Sequence, residues 1–329
     1  MTIQASELAA VVLQQITKEI PDALSKSTPF FQHLTKGPGK KYSPGGLYIQ
    51  FPIKLINNLS SGYISGTNAV VDTTPSIQMQ YGILNWKYYN FNVNFTLEDY
   101  TIARDEHEAV DFFASKIDGA IADSARELAV SSHGSSVTNP LAIEGLQDIV
   151  AASGTAYAGL LDTDYSDATA YLPVTTTDNT VNYANINKMI TQLRARMQQA
   201  KLNTKDVMGL MNAGTYSRFM NAVQNQQYFM NESDVAKSGF KGINVNGVDF
   251  YLDADVPGTQ DGATADNYLY IFPTDIMKLY YTYGLDKKSP FDGEVRLPNQ
   301  PIMSIQHYMA MNLICNNRRL VAVNKNFIA

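Results

Sequence analysis

The sequence predicts an α+β fold, with strands and helices segregated along the chain and no regular βαβ alternation. Three observations predict it. Residues 46–97 alternate apolar and polar positions, the two-residue period of strands. Residues 102–132 place apolar side chains mostly three or four apart, the helical period. Beyond residue 181, shorter helices and strands follow one another, and the last stretch returns to strand. No internal repeat is present.

Taken in order, residues 1–20 read as a short amphipathic helix. Leu8, Val11, Val12, Leu13, Ile16 and Ile20 form its apolar face, Ser6 can cap it and Pro21 stops it. Such a helix has little of its own chain to pack on, so a neighbouring subunit is its natural partner. Residues 21–36, with Pro29, Phe30 and Phe31, read as a second short helix or an irregular arm. The breaker cluster Gly37-Pro38-Gly39 follows.

Leu47, Ile49, Phe51, Ile53 and Leu55 then alternate with Tyr48, Gln50, Pro52 and Lys54. Pro52 has no amide proton, which marks an edge strand or a bulge. Tyr89, Phe91, Val93 and Phe95 alternate with Asn90, Asn92 and Asn94 and read as the return strand. Between them lie turn signals at Ser60-Ser61-Gly62, Ser65-Gly66 and Thr73-Thr74-Pro75. A third run sets Ile77, Met79, Tyr81 and Ile83 against Gln78 and Gln80. The whole reads as an extended hairpin with a polar tip. A lone hairpin is only marginally stable in water, so it must lie on its own core or on an adjacent molecule. Trp86, the only tryptophan, has two readings of equal weight: packing onto a local core, or anchoring an interface.

The helix over 102–132 carries Ile102, Val110, Phe113, Ile117, Ile121, Ala125 and Leu128 on one face. Asp99 or Thr101 can cap it, and Asp105, Glu106 and Glu108 complement the positive end of its dipole. Roughly thirty residues at about 1.5 Å each make a rod of ~45 Å. Gly119 inside it costs about 1 kcal/mol relative to alanine. The run ends at His133-Gly134-Ser135-Ser136. The plain reading is one long core helix. We favour a spine, with the β-arm entering at one end and a separate domain leaving from the other.

Residues 137–181 read as loop. A helix over 183–201 follows, capped by Asn182 or Asn185, with Ile186, Met189, Ile190, Leu193 and Met197 on one face. Residues 207–211 form a short buried strand. Asn212 caps a helix in which Tyr216, Phe219, Met220 and Val223 share a face. Asn246-Gly247, between Val245 and Val248, is the strongest hairpin signal in the chain, because Asn-Gly suits a type I′ turn. Residues 268–272 form a strand. From 302 to 323 two strands meet at Asn316-Asn317.

Composition narrows the function. The charged fraction is 17%, below the roughly 25% of ordinary domains. A weakly charged surface loses less on packing against neighbours. The net charge of −6 argues against tight nucleic-acid binding, though passive contact with DNA is compatible with it. Cys315 stands alone, which excludes an intramolecular disulfide and a Cys-based zinc cluster; it reads as a buried thiol made in a reducing cytoplasm. No signal peptide or membrane span is expected. The four histidines are scattered, and no P-loop, dinucleotide loop or nucleophile elbow is present. No catalytic, cofactor or metal residue is expected, and the chain does not read as an enzyme.

Several stretches in this order resemble one family. Phe95-Thr96-Leu97-Glu98-Asp99 leads into the long helix, and Glu127-Leu128-Ala129 closes it before His133-Gly134. Further on come Thr215-Tyr216-Ser217-Arg218-Phe219, Gly239-Phe240-Lys241-Gly242-Ile243, Asp253-Ala254-Asp255-Val256-Pro257, Tyr268-Leu269-Tyr270-Ile271-Phe272 and Arg318-Arg319-Leu320. The chain resembles tailed-phage major capsid proteins of the Hong Kong 97 type over most of its length. The resemblance implies an HK-97-like capsid fold. Its parts are an N-terminal arm (1–44), an extended β-hairpin loop (45–98), a spine helix in the peripheral domain (99–140), an axial domain (141–285) and a closing β segment of the peripheral domain (286–329).

It also implies hexamers and pentamers closing an icosahedral virion shell around double-stranded DNA, assembled in the host cytoplasm. Scaffolding, portal and decoration proteins are partners it brings. No fused scaffolding segment is expected before residue 1. Inter-subunit contacts are expected at Leu13 and Ile16 of the first helix, at Tyr63, Ile64 and Val70 of the hairpin tip, and at Trp86. An encapsulin-like compartment shell on the same fold is the alternative, and a β-rich hydrolase a more distant one.

Overall fold

The computed structural model describes residues 23, 28–35, 39–54, 63, 79–96, 98, 106–161, 174–176, 180–200, 206–224, 242–258, 267–285, 287–296 and 302–327. The expected helix over 1–20 and the hairpin tip apart from Tyr63 lie outside them. The architecture is α+β, as expected. Among the described residues no helix is long and apolar enough to cross a membrane.

Residues 29–35, left open as helix or arm, form helix α1 (Pro29–Thr35). Proline suits a first helical position because its missing N–H would have no helical partner there. Thr28 caps the turn, accepting from the Phe31 amide at 3.2 Å. Phe30, Phe31 and Leu34 are fully buried. The long helix, α2, runs from Glu106 to His133. Ile117, Ile121, Ala125 and Leu128 are its buried stripe, as the period requires. The short helix α3 (Leu146–Ile149) stands in the stretch read as loop.

Two sheets divide the strands. The first is built around β12 (Ile302–Cys315). β4 (Lys87–Thr96) lies antiparallel on one edge of it, pairing Thr96 with Ile302 through Lys87 with Met311. On the other edge lie β10 (Met277–Tyr283) and β11 (Gly293–Arg296). β1 (Lys40–Tyr42) adds to β10 in parallel. The second sheet has six strands. In spatial order they are β5 (Val174–Thr176), β13 (Ala322–Phe327), β9 (Asn267–Pro273), β6 (Val207–Met211), β8 (Val248–Leu252) and β7 (Gly242–Val245). Helices α4 (Tyr183–Gln199) and α5 (Ala213–Gln224) pack against it.

Local sequence explains the second sheet well. Asn182 caps α4 by accepting from Asn185 N at 2.8 Å, and Asn212 caps α5 by accepting from Thr215 N at 2.9 Å. The five residues expected on the apolar face of α4 are its buried set. Asn246 and Gly247 both take positive φ, 50° and 72°, as a type I′ turn demands.

Two expectations about strand pairing are corrected. The return strand of the hairpin is not residues 89–95. β2 (Ile49–Lys54) pairs instead with β3 (Met79–Leu84), the third run, and together they form a separate two-stranded ribbon. β4 goes to β12 because Phe91, Val93 and Phe95 bury one face of a longer sheet, with far more apolar cover than a ribbon offers. The closing segment is also divided. β12 and β13 do not pair with each other; a 3₁₀ turn at Arg318–Leu320 carries the chain from the first sheet into the second.

Candidate assembly surface

The ribbon has one covered face and one bare face. Ile49, Phe51 and Ile53 point inward, with Leu84 opposite Ile49. Gly82 is needed there: a Cβ would sit 2.9 Å from Phe51 Cζ and 3.1 Å from Ala158 Cβ. The Ile83 amide donates to Ala158 O at 2.9 Å and ties the ribbon to the loop beside it. The opposite face presents Tyr81 (62% exposed), Met79 (59% exposed) and Ile83, with Pro52 and Gln50 across from Tyr81 and Ile83. Leu47 and Tyr48, just before β2, are exposed too. A contiguous apolar face of this kind marks a place where something docks.

The base of the ribbon is tightly held. Asn312 Nδ2 donates to Asn85 O at 2.9 Å, and Asn312 Oδ1 accepts from the Glu144 amide at 3.0 Å. Trp86 packs within its own chain. It is 8% exposed, and its indole donates to Gly46 O at 3.0 Å. A cavity of about 210 Å³ lies beside this base, lined by Leu84, Asn85, Glu144, Asp148 and Tyr157. Burial pushes the Glu144 carboxyl up to about 7; Lys87 works against that shift and Asp148 adds to it. A larger groove, about 510 Å³, runs between α2, the start of β4 and the loop 134–147. Tyr88, Val130 and Leu141 are its exposed apolar residues.

The buried ionic groups fasten elements together. His307 Nε2 donates to Gly284 O at 3.1 Å, and its Nδ1 lies 3.2 Å from Asp292 Oδ2. Burial alone raises the Asp292 carboxyl, but hydrogen bonds from His307, Tyr308 N and Ser289 N hold it below its ordinary value. Arg318 donates to Ile149 O at 2.6 Å and Ala151 O at 3.0 Å, while Lys325 donates to Val150 O at 2.9 Å. Three carbonyls at the end of α3 are thus closed by two cations. At the end of α2, His133 faces Asp253 and lies next to Ser132. That order of groups resembles a hydrolytic triad only on paper. Ser132 is fully buried and donates to Ala129 O at 2.6 Å, so no substrate can reach its oxygen.

Of the residues expected at an interface, Tyr63 is fully exposed and Trp86 is buried. Leu13, Ile16, Ile64 and Val70 lie outside the described residues. Met79, Tyr81 and Ile83 were missed as surface. Their alternation was legible, but it says only that they share a face, not which face is covered. Cys315 is fully buried, as its reading requires, and burial pushes its thiol up to about 12.

No family model matches the sequence, and no curated protein matches it either. Solved structures do match it. The capsid asymmetric unit of cyanophage A-1(L) aligns with a TM-score of 0.63 at 15% identity, over 92% of this chain and 93% of that one. The capsid of a native GTA particle aligns at 0.56 and 12% identity, over 88% of each chain. The holo-SrpI encapsulin complex of Synechococcus elongatus aligns at 0.54 and 11% identity, over 87% of this chain and 85% of that one. The chain therefore has the fold of these shell proteins, as the Hong Kong 97 resemblance implied.

Proposed function

We propose that this chain, which carries a fold shared with phage-capsid and encapsulin subunits, is a major capsid protein that closes an icosahedral shell around double-stranded DNA. The bare apolar face of the β2–β3 ribbon carries the reading. A two-stranded ribbon with only one face covered is incomplete as a monomer, and a second copy supplies the cover. In this reading the segment 45–98 begins as the extended loop and ends as β4 of the peripheral sheet. α2 is the spine, and the six-stranded sheet with α4 and α5 is the axial domain. Hexamers and pentamers are the assembly units. Tyr63 at the tip, with Leu13, Ile16, Ile64 and Val70, belongs to contacts between copies.

The subunit is structural and not an enzyme. Its net charge of −6 allows only weak, non-specific contact with packaged DNA. Its place is the virion, after assembly in the host cytoplasm, with scaffolding, portal and decoration proteins as further partners. The likeness to an encapsulin supports one other reading, a compartment shell with protein cargo.

Size-exclusion chromatography and negative-stain microscopy of the chain expressed alone test the proposal. Closed shells or capsomer rings are expected, and increasing protein concentration or a crowding agent should promote them. A chain that stays monomeric throughout, with a scaffolding protein also supplied, overturns it. Deleting residues 62–75 should leave a folded subunit that no longer closes shells. Nuclease-protected DNA inside particles from the native source separates the virion reading from the compartment reading.

A further inference from the structure

The end of α2 gathers one imidazole and two carboxylates, with the Arg126 guanidinium at their edge. The His133 side chain is 2% exposed, and its Nδ1 lies 3.1 Å from Ala129 O. A carbonyl oxygen only accepts, so the proton of a neutral ring sits on Nδ1. Nε2 then presents a lone pair. It faces Asp253 Oδ2 at 3.3 Å, and the Asp253 side chain is fully buried. Neither atom makes a hydrogen bond. A lone pair and a carboxylate do not share a dry interior without a cation between them: either a proton, since against the lowering pull of burial Asp253 raises the His133 ring above its ordinary value, or a metal ion that displaces it. Asp255 brings a second carboxylate. One atom each from His133, Asp253 and Asp255 lie within 4.8 Å of one another.

The backbone aims this set. Asp253 follows β8, and its amide donates to Met211 O at 2.8 Å. Its Oδ1 accepts from Asp255 N at 3.1 Å, which folds Asp255 back beside it. The contact of Nδ1 with Ala129 O orients the imidazole, the support that metal-ligating histidines use. The His307–Asp292 pair provides a contrast. Its spacing is similar, at 3.2 Å, but among the described residues no further ligand joins it to make a three-residue group. A proton suffices there.

We propose that His133, Asp253 and Asp255 bind one divalent ion of the zinc class, which ties the end of α2 to the six-stranded sheet. Zinc takes nitrogen and oxygen ligands at about 2.0–2.2 Å in a tetrahedron, which sets neighbouring ligand atoms roughly 3.3–3.5 Å apart. The His133–Asp253 spacing fits that edge. Magnesium and calcium favour all-oxygen shells and suit an imidazole poorly. Arg126 is the competitor: its Nη1 lies 2.6 Å from Asp255 Oδ2, and its side chain is 56% exposed. When the ion binds, the guanidinium turns into solvent, and two carboxylates balance the two charges of the metal.

The test uses the full chain stripped with a chelator, titrated with Zn²⁺ by calorimetry and with Co²⁺ by visible absorption. One ion per chain and the intense bands of tetrahedral cobalt are expected. Asp255→Asn, next to the exposed Arg126, should weaken zinc binding on the order of tenfold or more. Arg126→Gln leaves all three ligands in place and should tighten it, by about fivefold. Circular dichroism establishes that each variant is folded. Binding that neither variant changes places the ion elsewhere and overturns the proposal. Absence of binding to the folded chain makes the cation a proton and overturns it as well.

Discussion

The six-stranded sheet and the β2–β3 ribbon are made from similar sequence and end in opposite states. β6 is buried at all five positions, and β9 at six of its seven. β3 is buried only at Gly82 and Leu84. In the sheet, α4 and α5 lie over the strands, and Phe30 of α1 meets Phe272 edge-on at 5.7 Å. The ribbon has such cover on one face alone. Apolar alternation therefore sets which residues travel together, while the cover available decides whether the chain or a neighbour buries them. The sheet is finished by folding; in the proposed reading the ribbon waits for a second copy.

Substitutions in the two regions test that contrast. The largest effect belongs to the sheet. Phe250 is fully buried and meets Phe219 at 5.7 Å, so Phe250→Ala should cost about 3–5 kcal/mol in denaturant unfolding of the monomer. That is a large share of the roughly 5–15 kcal/mol that holds a domain folded. On the ribbon, the double change Met79→Ser and Tyr81→Ser should leave monomer stability within about 0.5 kcal/mol and abolish shells in chromatography. A destabilisation as large as that of Phe250→Ala would mean the outer face is already covered within the chain, and the contrast would fail.

A smaller effect is expected at the ribbon's base. Glu144 titrates near 7 in the folded chain against an ordinary 4.5. Between those values the folded state binds more protons than the unfolded one, so stability falls as pH rises through that window. Denaturation curves at pH 5 and pH 8 should show this, and Glu144→Gln should flatten the difference. An unchanged pH slope in the variant assigns the titration to another group. The smallest effect is on α2. Gly119 is exposed, and an added Cβ meets nothing within 4 Å. Gly119→Ala should stabilise the monomer by about 1 kcal/mol. If it also disrupts shells, a second copy lies against that face of the helix.

How much of this was legible depended on how local the cause was. The stripe of α2 from Ile117 to Leu128, the cap Asn212, the buried face of α4 and the Asn246-Gly247 turn each follow from neighbours in sequence and were read correctly; of the two caps offered for α4 the structure uses Asn182, and Ile102, Val110 and Phe113 of the stripe lie outside the described side chains. Strand partners were not legible. Residues 89–95 read as the mate of β2; the structure gives it β3 instead, because β4 finds β12 far along the chain. Nor could the sequence show that Asp253 and Asp255 meet His133, since their approach depends on the loop after β8 lying against the end of α2. The motif Asp253-Ala254-Asp255 was the available signal; its partner was not.

β12, the axis of the first sheet, and β13, an interior strand of the second, are the last of the described strands to be synthesised. β4 leaves the ribosome roughly two hundred residues before the strand it pairs with, a separation that makes folding wait on synthesis. At about 5–20 residues per second, that wait lasts roughly 10–40 s. A chain cut short before Ile302 lacks the axis of one sheet and an interior strand of the other. Neither the base that holds the ribbon nor the sheet it projects from can form. Translation itself thus acts as an inspection step: if the proposed shell is what this chain builds, only a finished chain can offer the bare face of the ribbon to a neighbour.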